Sequence, residues 1–161
     1  MMDTHTATVT LPADDQILIE REFDAPKELV WQAFTTPELV RRWWHAGRGE
    51  MTVAEIDLRP GGSWRYAMTA ANGGFEVAFH GEYREVVPYE RIVSTEVFEG
   101  APEAGAAVNT MTLDERDGRT RLTILVHHAS KTARDMHIAS GMEDGLQDAL
   151  DLLEQTAASL R

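Results

Sequence analysis

The chain has 161 residues, 43% of them hydrophobic and 26% charged, with a formal net charge of −12 and no cysteine. That length carries one domain with a full core, while the acidity argues against nucleic acid and anionic membrane surfaces as partners and the missing cysteines exclude disulfides and thiolate chemistry. No apolar run approaches the roughly 18 residues of a membrane span, and no basic segment followed by an apolar one opens the chain, so a cytoplasmic location is expected.

Residues 1–15 read as an N-terminal stretch: a loose tail over Met1 to His5, a short edge strand over Thr6 to Leu11, and a turn at Pro12 to Asp15. A single domain follows over 16–161. Gln16 to Phe23 alternates as a strand with Ile17, Ile19 and Phe23 to one side. Asp24-Ala25-Pro26 predicts a helix start, the acid as cap and the proline in the first turn. Leu29, Val30, Ala33 and Phe34 form its apolar stripe. Thr36-Pro37-Glu38 opens a second short helix with Leu39, Val40 and Trp43 inward. Trp44 is adjacent, so one tryptophan packs and the other lies at a rim.

From Met51 the pattern changes to strands on tight turns, at roughly 51–58, 63–71, 75–87, 91–98, 106–116 and 119–128. Asn72-Gly73 and Asp117-Gly118 are hairpin dipeptides, because they tolerate the positive φ of a type I′ turn. Consecutive strands so joined make an antiparallel meander. A two-residue turn at Asp117-Gly118 pairs Leu113 with Leu122, Met111 with Ile124 and Asn109 with Val126. One at Asn72-Gly73 pairs Met68 with Val77 and Tyr66 with Phe79, and puts Trp64 beside Gly81. Each register gathers the large apolar residues on one face.

Pro88 to Arg91 is ambiguous. Taken as a simple hairpin it pairs Val87 with Ile92, Glu85 with Ser94 and Tyr83 with Glu96. Tyr83, Glu85, Ser94 and Glu96 then face inward together, and two enclosed carboxylates raise one another's pKa. A bulge near Glu85-Val86 swaps the faces instead.

Ser130 to Arg161 reads as one long amphipathic helix. At about 100° per residue, Met142, Leu146, Ala149, Leu150, Leu153, Ala157 and Leu160 share one arc. Such a stripe needs an apolar surface, and the sheet supplies one. Gly141 and Gly145 flank the arc, which predicts either a kink or close approach, or space for a ligand. Thr132 to Asp135 matches a capping box. His137 falls on the polar side, toward solvent. His128 falls at the end of the core face.

Several motifs carry a family resemblance. These are Glu22-Phe23-Asp24-Ala25-Pro26, Val30-Trp31, Thr36-Pro37-Glu38-Leu39, Trp43-Trp44, Asp57-Leu58-Arg59-Pro60-Gly61-Gly62, Gly81-Glu82-Tyr83-Arg84-Glu85-Val86-Val87-Pro88, Glu90-Arg91-Ile92-Val93 and Gly141-Met142-Glu143-Asp144-Gly145. Together they resemble the AHSA-like (activator of heat-shock-protein ATPase homologue) family of the START-like, polyketide-cyclase-like SRPBCC superfamily. The resemblance implies an α+β helix-grip (START-like) fold, in which a curved antiparallel sheet, two short helices and a long C-terminal helix enclose a cavity. His45-Ala46-Gly47 departs from relatives that carry a proline after the tryptophans. The chaperone activators that named the family have an additional N-terminal domain, so chaperone activation follows poorly from the name.

The expected function is binding of a small apolar or amphipathic molecule between sheet and C-terminal helix. Trp64, Tyr66, Met68, Phe79, Tyr83, Met111, Met142, Gly145 and Leu146 are the expected lining, since aromatics and methionines make adaptable apolar walls. The alternative is a cyclase- or hydrolase-like enzyme, with Glu85, Glu96, Tyr83 and His128 as the catalytic candidates. A chaperone-associated interaction module is weaker still. No cofactor and no metal site is expected: the chain has no zinc helix, phosphate loop or nucleophile elbow. His127-His128 are strand neighbours that point oppositely. A homodimer is left open.

Overall fold

The computed structural model describes residues 6–161; the tail expected over Met1 to His5 lies outside them. Eight strands form one antiparallel sheet. They are β1 (Thr8–Thr10), β2 (Gln16–Phe23), β3 (Gly49–Ile56), β4 (Ser63–Ala70), β5 (Glu76–Val87), β6 (Arg91–Phe98), β7 (Ala107–Arg116) and β8 (Arg119–His127), in the order β1-β2-β8-β7-β6-β5-β4-β3. The meander β3 to β8 is consecutive, and β2 adds to its far edge through β8. Between β2 and β3 come α1 (Lys27–Thr35) and α2 (Pro37–Val40); after β8 come α3 (Lys131–Ala139) and α4 (Met142–Ala158). No helix among the described residues is long and apolar enough to cross a membrane.

One face of the sheet carries the core. Ile17, Ile19 and Phe23 of β2, Leu122 and Val126 of β8 and Met111 and Leu113 of β7 are buried there. α4 closes it with Ala149, Leu150, Leu153 and Ala157, also buried. Each such leucine contributes about 1.5–3 kcal/mol by leaving water. The apolar stripe thus lands where its period requires. Arg21 of β2 is buried in the same row and reaches α4, donating to Asp151 at 2.7 Å and Glu154 at 3.3 Å. Trp43 packs inside, its indole donating to the Ala33 carbonyl at 2.8 Å. Trp44 is half-buried and stands edge-on to Tyr66 and Phe79, at 5.7 and 5.8 Å.

The Asp117-Gly118 hairpin has the positive φ at both residues and the register that the dipeptide predicts. The Asn72-Gly73 hairpin keeps its expected register but turns through Ala71 to Gly74, with Gly73 and Gly74 at positive φ. A four-residue loop centred on the same point leaves the pairing unchanged.

Four local expectations are corrected. The helix after β8 is two helices, because Gly141 adopts the left-handed conformation (φ 82°, ψ 23°) and ends α3; the apolar period simply resumes on the next helix. Asp24 does not cap α1: the cap position is Pro26, with no side-chain bond, and the Asp24 amide donates to Glu154 instead. Asp135 forms no capping box, since Ser130 Oγ accepts from the Ala133 amide and Asp135 pairs with Lys131 at 2.7 Å. The β5–β6 turn is a three-residue loop with Tyr89 at φ 67°, pairing Val87 with Arg91, and a bulge follows between Tyr83 and Glu85. The simple hairpin is therefore wrong, and the alternative of a bulge near Glu85-Val86 holds, its site being Arg84, one residue earlier.

Candidate functional site

That bulge decides which carboxylate enters the fold. With Tyr83 paired to Ser94 and Glu85 paired to Val93, alternation carries Tyr83, Ile92, Ser94, Glu96 and Phe98 inward and Glu85 outward. Glu85 is exposed and pairs with Arg91 at 3.2 Å. The two glutamates therefore do not share a site, and the expected mutual repulsion is absent. Glu96 stands alone, and its pKa is nevertheless pushed up to about 7, because burial disfavours its charged form; the Asn109 amide, hydrogen-bonded to it, only partly offsets this.

Glu96 forms part of the wall of a cavity of about 380 Å³ beneath α3. Val77 and Phe79 of β5, Phe98 of β6 and Ala107 of β7 supply the sheet side. Ala101, Ala104 and Gly105 of the β6–β7 loop close one end. Ala133, Met136, His137 and Ser140 of α3 cover it, with His128 at the end of β8. The space exists because the β7 neighbour of Glu96 is small. Ala107 pairs with it on one side, and the register on β5 puts Gly81 on the other.

Gly81 has no room for a side chain. A Cβ there would stand 1.8 Å from the Thr95 carbonyl oxygen and 2.8 Å from the Trp64 indole nitrogen. Trp64 lies over this glycine and donates to that carbonyl at 3.1 Å. The Glu82 amide meanwhile donates to Thr95 Oγ1 at 2.9 Å. Side chains thus satisfy backbone groups where the β5–β6 ladder is interrupted.

Behind Glu96 lie two tyrosines. The Tyr66 and Tyr83 hydroxyls interact with each other; burial raises both, Tyr83 to about 12, and the Glu96 charge adds to the shift at Tyr66. Both are neutral donors throughout the physiological range. At the mouth, His128 Nε2 and His137 Nδ1 stand 2.9 Å apart. Burial lowers both, His137 to about 4. His137, expected in solvent, is thus an internal partner. Among the described residues no group of three or more His, Asp or Glu is placed to hold a metal ion.

Of the expected lining, Phe79 borders the cavity, as do the candidates Glu96 and His128. Trp64, Tyr83 and Met111 are buried in the adjoining core, and Tyr66 is half-buried beside them. Met68 is half-buried on β4. Met142 and Leu146 pack against the core at the start of α4, and a Cβ on Gly145 would meet open space. These three are not part of the cavity wall, because the break at Gly141 puts α3 over the cavity instead. The residues missed are on α3, where positions 133, 136, 137 and 140 have the spacing of a single helical face, and in the small-residue run 101–107.

A shallower groove of about 470 Å³ lies on the opposite face of the sheet, beside Glu55, Arg65, His80 and Glu82. Its two basic side chains, Arg65 and His80, are both paired with Glu99. Glu99 accepts from Arg65 at 2.8 Å and contacts His80 at 2.9 Å, and these hydrogen bonds hold its carboxyl at about 2.

The profile of the activator of Hsp90 ATPase homologue 1-like family matches residues 24–158. The chain belongs to that family. A Rhodobacter sphaeroides structure is similar at 25% identity and TM-score 0.87, covering 95% of this chain and 99% of its own. A Mycobacterium smegmatis structure reaches 28% identity and TM-score 0.83, over 92% and 95%. A Chromobacterium violaceum structure has 29% identity and TM-score 0.74, over 88% and 99%. No functionally curated protein matched. Family and neighbours share the helix-grip architecture: a curved antiparallel sheet, short helices and a C-terminal helix.

Proposed function

We propose that this member of the Hsp90-ATPase-activator-like family binds one small amphipathic molecule in the cavity beneath α3. The observation that carries the reading is the cavity's composition: apolar walls from Val77, Phe79, Phe98 and Met136, with one carboxyl, Glu96, among them. Ligand sites are commonly apolar with a few polar groups that orient the guest. A volume of about 380 Å³ suits a molecule of one or two rings. The neutral, solvatochromic dye Nile red tests it. The reading expects saturable binding at one site per chain, weakened at least about tenfold by Ala107→Leu, which fills the cavity beside Glu96. Only unsaturable binding, or binding indifferent to Ala107→Leu, overturns it.

A second reading is that the site is catalytic. What favours it is Glu96 itself, whose raised pKa near 7 suits general acid–base chemistry. Under that reading Glu96→Gln abolishes turnover of a substrate that still binds. A chaperone-associated role has only the family's description behind it and no feature of the site.

A further inference from the structure

The cavity's charge pattern says more than its volume. None of the described residues lining it is lysine or arginine. Its two histidines are hydrogen-bonded to each other, and burial keeps them neutral at physiological pH. Its one ionisable acid, Glu96, has Asn109 as its hydrogen-bond partner. The Asn109 side-chain oxygen, buried, has no donor of its own. Beside the Glu96 carboxyl the site thus holds one buried acceptor without a donor. An anionic guest would meet Glu96 with no cation to offset it. A guest bearing an ammonium group would supply both the missing donor and the missing charge, while aromatic faces at Phe79 and Phe98, 4.9 Å apart, suit a cation or a ring beside it.

We infer that the natural ligand is a small hydrophobic amine, held by a charge-assisted hydrogen bond from its ammonium group to Glu96 with its apolar part among Phe79, Phe98, Ala107 and Met136. The inference rests on the binding reading above and specifies its ligand class. Pairing with an ammonium stabilises the Glu96 carboxylate, so binding releases a proton. Near pH 7, where Glu96 is half protonated, the release is about half a proton per amine bound. The other groups facing it are Tyr66 on β4, Tyr83 on β5, His128 after β8 and His137 on α3, with Asp15, His127 and Arg134 around His128. The two tyrosines and the two cavity histidines stay neutral at that pH. Amine affinity therefore rises with pH through about 7.

Displacement of Nile red by phenylbutylamine, phenylbutanol and phenylbutyrate tests this on the intact protein. The expected order is amine, then alcohol, then carboxylate, the amine tighter than the alcohol by roughly tenfold or more. Glu96→Gln should abolish that preference, so that the amine binds no tighter than the alcohol. Calorimetry in buffers of differing ionisation enthalpy should show proton release with the amine and none with the alcohol. It does so on the wild-type chain, whether or not the variant folds. Equal affinity for amine and alcohol, a preference that survives Glu96→Gln, or no proton release overturns the amine inference and leaves the cavity reading standing. Failure of Nile red itself to bind saturably overturns both.

Discussion

α3 and α4 follow one another in sequence and cover the same face of the sheet, yet they bury different things. α4 lays Leu150 and Leu153 onto a surface of large residues, Ile17, Phe23 and Leu122, and the space is filled. α3 lays Ala133, Met136 and His137 over Ala107, Glu96 and Phe79, and about 380 Å³ stays open. Both helices are amphipathic, so amphipathicity does not separate a core from a pocket. The residue sizes on the facing strands do: Ala107 stands beside the one carboxyl, whereas bulky side chains face α4.

Four changes sharpen the contrast. The largest effect belongs to the filled half: Leu153→Ala should cost about 2–5 kcal/mol in urea unfolding, the range for a deleted core leucine, while the fraction that stays folded still binds dye. A loss below about 1 kcal/mol would mean that α4 is not packed as described.

The second change is pH, read through Glu96. Its folded pKa, about 7, lies above its ordinary value of 4.5. The folded state therefore holds a proton between those values that the unfolded state has lost. Glu96 contributes stability below about 4.5 that is lost as pH rises through about 7, at most roughly 3 kcal/mol. His137 acts oppositely: its folded pKa, about 4, lies below 6.5, so its contribution is lost as pH falls through that window. The two partly cancel in the wild-type chain. The difference between wild type and Glu96→Gln isolates the glutamate, and that difference should shift against wild type between about pH 4.5 and pH 7. A pH-independent difference would contradict a raised Glu96.

Third, Gly81→Ala should cost about 1–3 kcal/mol, because its Cβ collides with the Thr95 carbonyl rather than with a flexible side chain. It should also weaken dye binding by displacing Trp64 or β6. A neutral Gly81→Ala would show that the ladder gap is not tight. Smallest in stability is Ala107→Leu, expected within about 1 kcal/mol of wild type because the leucine enters open space; a large loss would mean the space is already occupied by side chains.

The filled half of this contrast was legible in the sequence. The stripe of Leu146, Leu150 and Leu153 and the Asp117-Gly118 register depend on period and turn chemistry, which local residues dictate. The cavity was harder. Whether Glu85 or Glu96 turns inward depends on a bulge at Arg84, and no residue type there demands one. The shift of the pocket wall from Met142 and Leu146 to Met136 and His137 depends on Gly141 adopting a left-handed conformation, and a glycine permits that without requiring it. On one continuous helix His137 falls on the polar side, and the break at Gly141 removes that continuity. Once the helix ends at Ala139, its spacing with Ala133 and Met136 marks an inward face.

The most direct test is methyl NMR of the isotope-labelled protein titrated with Nile red. The Ala107, Ala133 and Met136 methyls should shift together along one saturable isotherm, while those of Leu150 and Leu153 stay fixed. Saturable shifts centred on Leu150 and Leu153, with Met136 unmoved, would put the ligand under α4 and contradict a site beneath α3.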